Sequence, residues 1–296
     1  MKKYIFFLLF LPLCQLNAGE PARQSTAQSP SSATPQPVNP AWNRLDEKKL
    51  KLRSASALIV DSTGNEIYSK QSDTPLPIGS ITKLMTVMVI LDARLPLDEK
   101  IRITKQDRDL IRLTGSRLNY GATLSRRSLL DLALMASENR AASALARTYP
   151  GGTEQFIRAM NAKARQLGMA DSRFTDPAGL DAGNVASPND LVRMVKAASD
   201  YPEIADATTR LRMDVRPYPK RGPLTYGNTN RLLKNQAWNI QLSKTGYINE
   251  AGRCLVMQAK VKGRELTIVL LNSFGKLTPF GDANRVRKWI ERGLSG

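Results

Sequence analysis

Histidine is missing from all 296 residues, and this absence removes more chemistry than any other feature of the chain. A Ser-His-Asp triad, a Cys-His pair and every zinc site with an imidazole ligand require it. Cysteine is scarce as well, with only Cys14 and Cys254, so thiolate cages fail as metal sites. After residue 13 no stretch approaches the ~20 consecutive apolar residues that a membrane-spanning helix needs. A hydrolase built from this chain has to find its base among Lys, Asp, Glu and Tyr.

The only apolar run is at the start. Lys2 and Lys3 precede residues 4–13 (YIFFLLFLPL), and Leu16-Asn17-Ala18 ends in a small residue. This pattern predicts a secretory signal peptide over 1–18 and a periplasmic location. Leu13 is bulky where a lipidated cysteine has a small neighbour, which disfavours lipidation of Cys14. Cleavage near Ala18 removes Cys14 and leaves Cys254 without an internal partner. Cys254 is then expected as a small buried hydrophobe in a strand. An exported chain without disulfides relies on its core, which a 42% hydrophobic composition can fill. Residues 19–44 are rich in Ser, Pro and Gln and read as a disordered tether. The folded domain is expected over 45–296. The formal charge is +18, of which Lys2 and Lys3 contribute two. So basic a chain is drawn to polyanions. For an exported protein these are an anionic membrane surface or the cell wall, and the export signal argues against nucleic acid.

Strands are expected over 56–61 and 66–70, joined by a turn at 62–65. A strongly apolar helix follows over 80–93 and stops before Pro96. Residues from 98 to about 200 read as mostly helical, with one helix starting at a Thr153 cap and ending at Gly168, and another starting at Ser187-Pro188. Strands return over 238–243, 254–262 and 265–272, with a closing helix over 282–292. The layout is α+β. The N- and C-terminal segments form one antiparallel sheet with packed helices, and a helical subdomain of about 98–215 is inserted between them.

Ser80-Ile81-Thr82-Lys83 opens the apolar helix. Residues three apart share a helix face, so the lysine can reach the serine hydroxyl. The helix N-terminus also directs N–H groups at whatever binds in front of it. Alone the pattern is weak, because Ser-x-x-Lys arises by chance about once in 250 residues. A second copy, Ser273-Phe274-Gly275-Lys276, contains a glycine and reads as a turn after a strand. Lys83, however, stands in a helix with no other charge before Asp92, and a buried lysine requires a reason. Burial, helped by a second cation, lowers a lysine pKa toward the range of a working base. Lys244-Thr245-Gly246 ends a strand-like stretch and offers that cation, a hydroxyl for a carboxylate, and a glycine beside which a substrate backbone can lie. On its own it also fits an ordinary turn. Ser137-Glu138-Asn139 interrupts a helical stretch, as a polar junction or as a proton relay with an amide binder.

Ser-x-x-Lys, Ser-x-Asn and Lys-Thr-Gly, in that order, are the set shared by penicillin-binding proteins and serine β-lactamases. The stretches PIGSITKLMT, LALMASENRAASALA, MNAKARQLGM, FTDPAGLD and LSKTGYINEAG resemble the low-molecular-mass D-alanyl-D-alanine peptidases over about residues 45–292. The chain is most similar to their type-7 endopeptidase subgroup. The resemblance implies the penicillin-binding fold, with Ser80 as nucleophile, Lys83 as base and Ser137 as proton relay. It further implies substrate binding by Asn139, Lys244, Thr245 and Gly246, and an oxyanion site between the N–H groups of Ser80 and Tyr247. No metal or cofactor is implied. The implied partners are peptidoglycan peptide cross-links, and β-lactams as covalent inhibitors.

Three activities share this apparatus. A class A β-lactamase needs a Glu-x-x-Leu-Asn segment, which the chain lacks. A D,D-carboxypeptidase removes terminal D-alanine. A D,D-endopeptidase cuts the D-alanyl–diaminopimelate cross-link, and it is favoured here because the chain stops soon after its closing helix and offers only Lys276 where many carboxypeptidases place an arginine. A non-catalytic basic wall-binding protein is the remaining alternative, and three intact motifs speak against it.

Overall fold

Alternation along five strands organises the molecule, seen in a computed structural model that describes Met1 and residues 41–295. Strands β1 (Ser54–Asp61), β2 (Glu66–Lys70), β3 (Asn239–Ile248), β4 (Gly252–Val261) and β5 (Arg264–Ser273) form an antiparallel sheet in the order β2-β1-β5-β4-β3. Side chains on a strand point alternately to opposite faces. Accordingly Ala57, Ile59, Leu255, Met257, Ile268 and Leu270 enter one apolar cluster, while Leu58, Val60, Val256, Val269 and Leu271 enter another. N- and C-terminal segments meet where Ser54 pairs with Ser273 and Asp61 with Leu266. The expected single sheet is therefore present.

Seven α-helices lie among the described residues: α1 (Thr82–Asp92), α2 (Arg126–Met135), α3 (Asn139–Arg147), α4 (Gly152–Gln166), α5 (Pro188–Ser199), α6 (Pro202–Thr209) and α7 (Thr278–Leu294). Helix α7 covers one face of the sheet, and α5 packs on the other. Every residue from Thr82 to Ile90 is buried, Lys83 included. The Ser187 hydroxyl accepts from the Asp190 N–H and Pro188 occupies the first turn of α5, as expected. Asp282, fully buried at the start of α7, accepts from the backbone N–H groups of Arg53 and Ser54 and from the Ser54 hydroxyl, which fastens that helix to β1.

Several expectations need correction. Residues 98–125 contain one 3-10 turn and a short ladder, Lys100–Arg102 with Thr123–Ser125, and no α-helix. A second hairpin, Arg212–Val215 with Leu224–Gly227, follows α6. Gly151, in left-handed backbone, precedes α4, and Thr153 lies inside that helix. Strand β3 runs through Lys244-Thr245-Gly246 to Ile248. Residues 2–40, which hold most of the expected signal peptide and tether, lie outside the described residues. Residues 42–44, expected in the tether, form a 3-10 turn whose Trp42 is buried and donates its indole N–H to Asp61 at 2.9 Å. Among the described residues no helix is long and apolar enough to cross a membrane.

Candidate active site

Ser80 lies in a single 3-10 turn, Gly79–Ile81, that leads directly into α1. Lys83 Nζ is 2.8 Å from Ser80 Oγ. That nitrogen has two more neighbours, Asn139 Oδ1 at 2.8 Å and the Ala178 carbonyl oxygen at 2.6 Å. Both of these only accept. An ammonium has three N–H donors and a neutral amine has two. When Lys83 is neutral, its two N–H groups are therefore claimed by Asn139 and Ala178, and its lone pair is left facing the Ser80 hydroxyl.

The orientation of Asn139 is itself fixed. Its Nδ2 donates to Thr114 Oγ1 at 3.0 Å, and the Thr114 hydroxyl donates to Asp109 Oδ2 at 2.6 Å. Asp109 also receives the backbone N–H groups of Ile111, Arg112 and Thr114. Burial raises the Asp109 pKa, but these hydrogen bonds outweigh it and hold the carboxyl below its ordinary value. A charged acceptor at the end of the chain thus turns the amide oxygen toward Lys83.

The Ala178 carbonyl is held by a second knot. The Asp176 carboxylate accepts from the N–H groups of Ala178, Gly179, Leu180 and Asp181 and from the Asn184 amide. Gly179 presses on the Ser80 turn so closely that a Cβ there would come within 1.9 Å of the Gly79 carbonyl oxygen.

Ser137 fills the break between α2 and α3 in left-handed backbone (φ 59°), a conformation that costs a serine about 1 kcal/mol. Glu138 beside it caps α3 through the Arg140 N–H. The Ser137 Oγ accepts from Lys244 Nζ at 3.0 Å, and Lys244 also donates to the Thr245 carbonyl at 3.1 Å. Thr245 Oγ1 is 2.7 Å from Thr229 Oγ1. At Gly246 a Cβ would fall 2.3 Å from the Ile78 carbonyl oxygen, so this packing alone demands glycine, whatever the substrate does. The Tyr247 amide nitrogen lies against Gly79, next to Ser80.

Both lysines are fully buried, and burial is the largest cause of both pKa shifts. Lys83 falls to about 8, with Asp176, Glu138 and Asp109 pulling the other way. Lys244 falls well below its ordinary value through burial and then the charge of Lys83. Each lysine disfavours the charge of the other, as expected, and at Lys83 three carboxylates offset part of the fall.

Ser80, Ser137, Thr245, Gly246 and Tyr247 line one cavity of about 240 Å³, with Lys83 and Lys244 bonded to its walls and Asn139 bonded to Lys83. The eight residues singled out in the sequence therefore come together. The second Ser-x-x-Lys forms no serine–lysine pair: Ser273 Oγ is bonded to Ser54 Oγ at 2.8 Å, while Lys276 is exposed and lines the same cavity. Cys254 is buried in β4 as expected, and burial pushes its thiol up to about 12. Sequence reasoning missed Asp109, Thr114, Asp176, Ala178 and Thr229. The stretch FTDPAGLD was visible, but no spacing shows that one of its carbonyls reaches Lys83.

A family model described as D-alanyl-D-alanine carboxypeptidase matches residues 43–275. A D-alanyl-D-alanine endopeptidase of Pseudomonas aeruginosa is 47% identical over 244 residues, which are 82% of this chain and 79% of that one. A protein of the same name from Escherichia coli is 47% identical over 245 residues, with the same shares. The crystal structure of the Streptomyces K15 DD-transpeptidase superposes with a TM-score of 0.76 at 27% identity, over 83% of this chain and 98% of that one. With its motifs gathered in one cavity and the match spanning most of its length, the chain belongs to the D-alanyl-D-alanine carboxypeptidase family.

Proposed function

We propose that the protein is a periplasmic serine D,D-endopeptidase that hydrolyses D-alanyl–diaminopimelate cross-links of peptidoglycan through an acyl-enzyme on Ser80. The observation that carries this reading is the Lys83 amine, 2.8 Å from Ser80 Oγ with both other acceptors engaged. The choice of cross-links over terminal D-alanine rests on the two relatives at 47% identity, both named endopeptidases. Removal of terminal D-alanine uses the same machinery.

Ser80 Oγ bonds to the D-alanine carbonyl carbon as its proton passes to Lys83. The oxyanion is received between the N–H groups of Ser80 and Tyr247. The carbon–nitrogen bond then breaks, and the Ser137 hydroxyl gives its proton to the leaving amine while Lys244 replenishes it. Hydrolysis reverses these steps with water in place of the amine. The water proton returns through Ser137 to Lys244, and Ser80 leaves with the proton held on Lys83. The two buried lysines cooperate through the substrate. A carboxylate brought to Thr245 favours the proton on Lys244, and the repulsion between the amines then favours neutral Lys83. No cofactor enters any step. Residues 1–18 serve as export signal and 19–40 as tether. The positive charge draws the domain to the anionic wall or membrane surface.

Labelled β-lactam followed by gel detection tests the nucleophile: the wild type is labelled and Ser80→Ala is not, and equal labelling of the two sinks the mechanism. Mass spectrometry of digested cross-linked muropeptide dimers tests the substrate. Split dimers are expected, and release of D-alanine from intact dimers rejects the endopeptidase.

A further inference from the structure

The cavity in front of Ser80 carries more positive charge than the reaction consumes. Besides the motif residues it is lined by Arg231, Arg253 and Lys276, and no acidic residue lines it. None of these three side chains has an ion pair or a hydrogen bond to another described residue. Arg253 pairs across β4 with Tyr247 of β3, and its guanidinium lies 3.6 Å from the Tyr247 ring centroid. This stacking holds the charge beside the oxyanion end of the cavity without neutralising it. The main chain at Arg231 is held as firmly, and its side chain is exposed. The preceding Asn230 is buried, caps the 3-10 turn Arg231–Lys234 through the Leu232 N–H, and donates its amide to Ser243 Oγ at 2.9 Å, one residue before Lys244. Thr229, before that, is tied to the Met135 carbonyl at 3.1 Å and to Thr245. Arg231 is thus delivered to the rim by a loop with its own polar groups satisfied.

A terminal D-alanine leaves with a single carboxylate, which Lys244 and Thr245 suffice to hold. A cross-linked leaving group differs. The amine belongs to diaminopimelate, which carries its own carboxylate, and the attached stem peptide brings further free carboxylates a few bonds away. We infer that Arg231 and Arg253, with Lys276 lining the same cavity, form a second anion subsite that receives a carboxylate of the leaving stem peptide and so selects cross-links over chain ends. The inference rests on the endopeptidase reading and locates its specificity. Guanidinium suits the task, because its planar fork binds carboxylate in two-pronged fashion.

The test compares two synthetic cross-linked dimers, one with free carboxylates on the leaving stem and one with those carboxylates amidated, the diaminopimelate carboxylate next to the scissile bond being free in both. In the wild type the free-acid dimer is expected to have about a tenfold higher kcat/KM, carried mainly by KM, as one charge-assisted contact at a partly exposed site supplies. In Arg231→Gln and Arg253→Gln the ratio falls toward one, and Arg231→Lys restores part of it. A ratio near one in the wild type, or a ratio unchanged in both glutamine variants, overturns the subsite while leaving the endopeptidase reading intact. Failure of the wild type to split either dimer removes that reading and the subsite together.

Discussion

The two faces of the central sheet serve opposite ends. Under α7, Ala57, Ile59, Leu255, Met257 and Ile268 pack against Trp289 and Ile290, and the fully buried Asp282 has every neighbour it needs. On the opposite face the same alternation delivers Lys244 beside Lys83, two buried cations without an ion pair, next to a serine in left-handed backbone. The first face is assembled for stability. The second holds buried amines and a backbone conformation that burial and sterics oppose, and the Asp109 and Asp176 networks keep the partners of Lys83 in place.

Replacing the charged residue on each face breaks the comparison most sharply. Lys83→Met is expected to slow β-lactam acylation by about a thousandfold, the usual worth of a general base, while urea unfolding shifts by about 1–2 kcal/mol, because relief of the amine's desolvation offsets part of the cost of leaving the Asn139 and Ala178 oxygens unpaired. Asp282→Ala should do the reverse. With the Arg53 and Ser54 N–H groups left unpaired it loses about 3 kcal/mol, and acylation per folded molecule is retained. A variant that lost both properties together, on either face, would refute the division.

A pH profile sharpens the contrast without mutation. Lys83 at about 8 works as a base only after losing its proton, so acylation rises with pH. It should increase about tenfold from pH 7 to a plateau above 9, since about a tenth of such a group is neutral one unit below its pKa. A profile that is flat or falls over this range contradicts Lys83 as base. The smallest effect concerns Ser137. Both Ser137→Ala and Ser137→Gly should turn over poorly, yet the glycine variant should be more stable than the alanine variant by about 1 kcal/mol, because only alanine keeps the left-handed penalty. Equal stabilities in denaturant would show that the backbone there is not under strain.

What the sequence made legible was local or periodic. Ser80 and Lys83 are one helical step apart, Ser187-Pro188 is a helix start, and the alternation of β1, β4 and β5 is plain in the text. The partners of Lys83 were hidden for a physical reason: a backbone carbonyl such as that of Ala178 has no residue type to betray it, and its aim is set by Asp176 through five hydrogen bonds formed only after folding. Thr114 and Asp109 sit in a stretch misread as helical, where hydrogen bonds to side chains shape an irregular loop. The reason for Gly246 was also out of reach, because Ile78 is more than 160 residues away in the chain.

The floor beneath Ser80 is main chain against main chain, with Gly79 touching Gly179 and Gly246 touching Ile78. A lineage pressed by antibiotics has no room to manoeuvre at those positions, because any side chain added there collides with an immovable backbone. Escape has to be sought along the open margin, at Tyr247, Arg231 and Arg253, where, if the inferred subsite holds, a change that turns away the drug also alters the grip on the natural peptide.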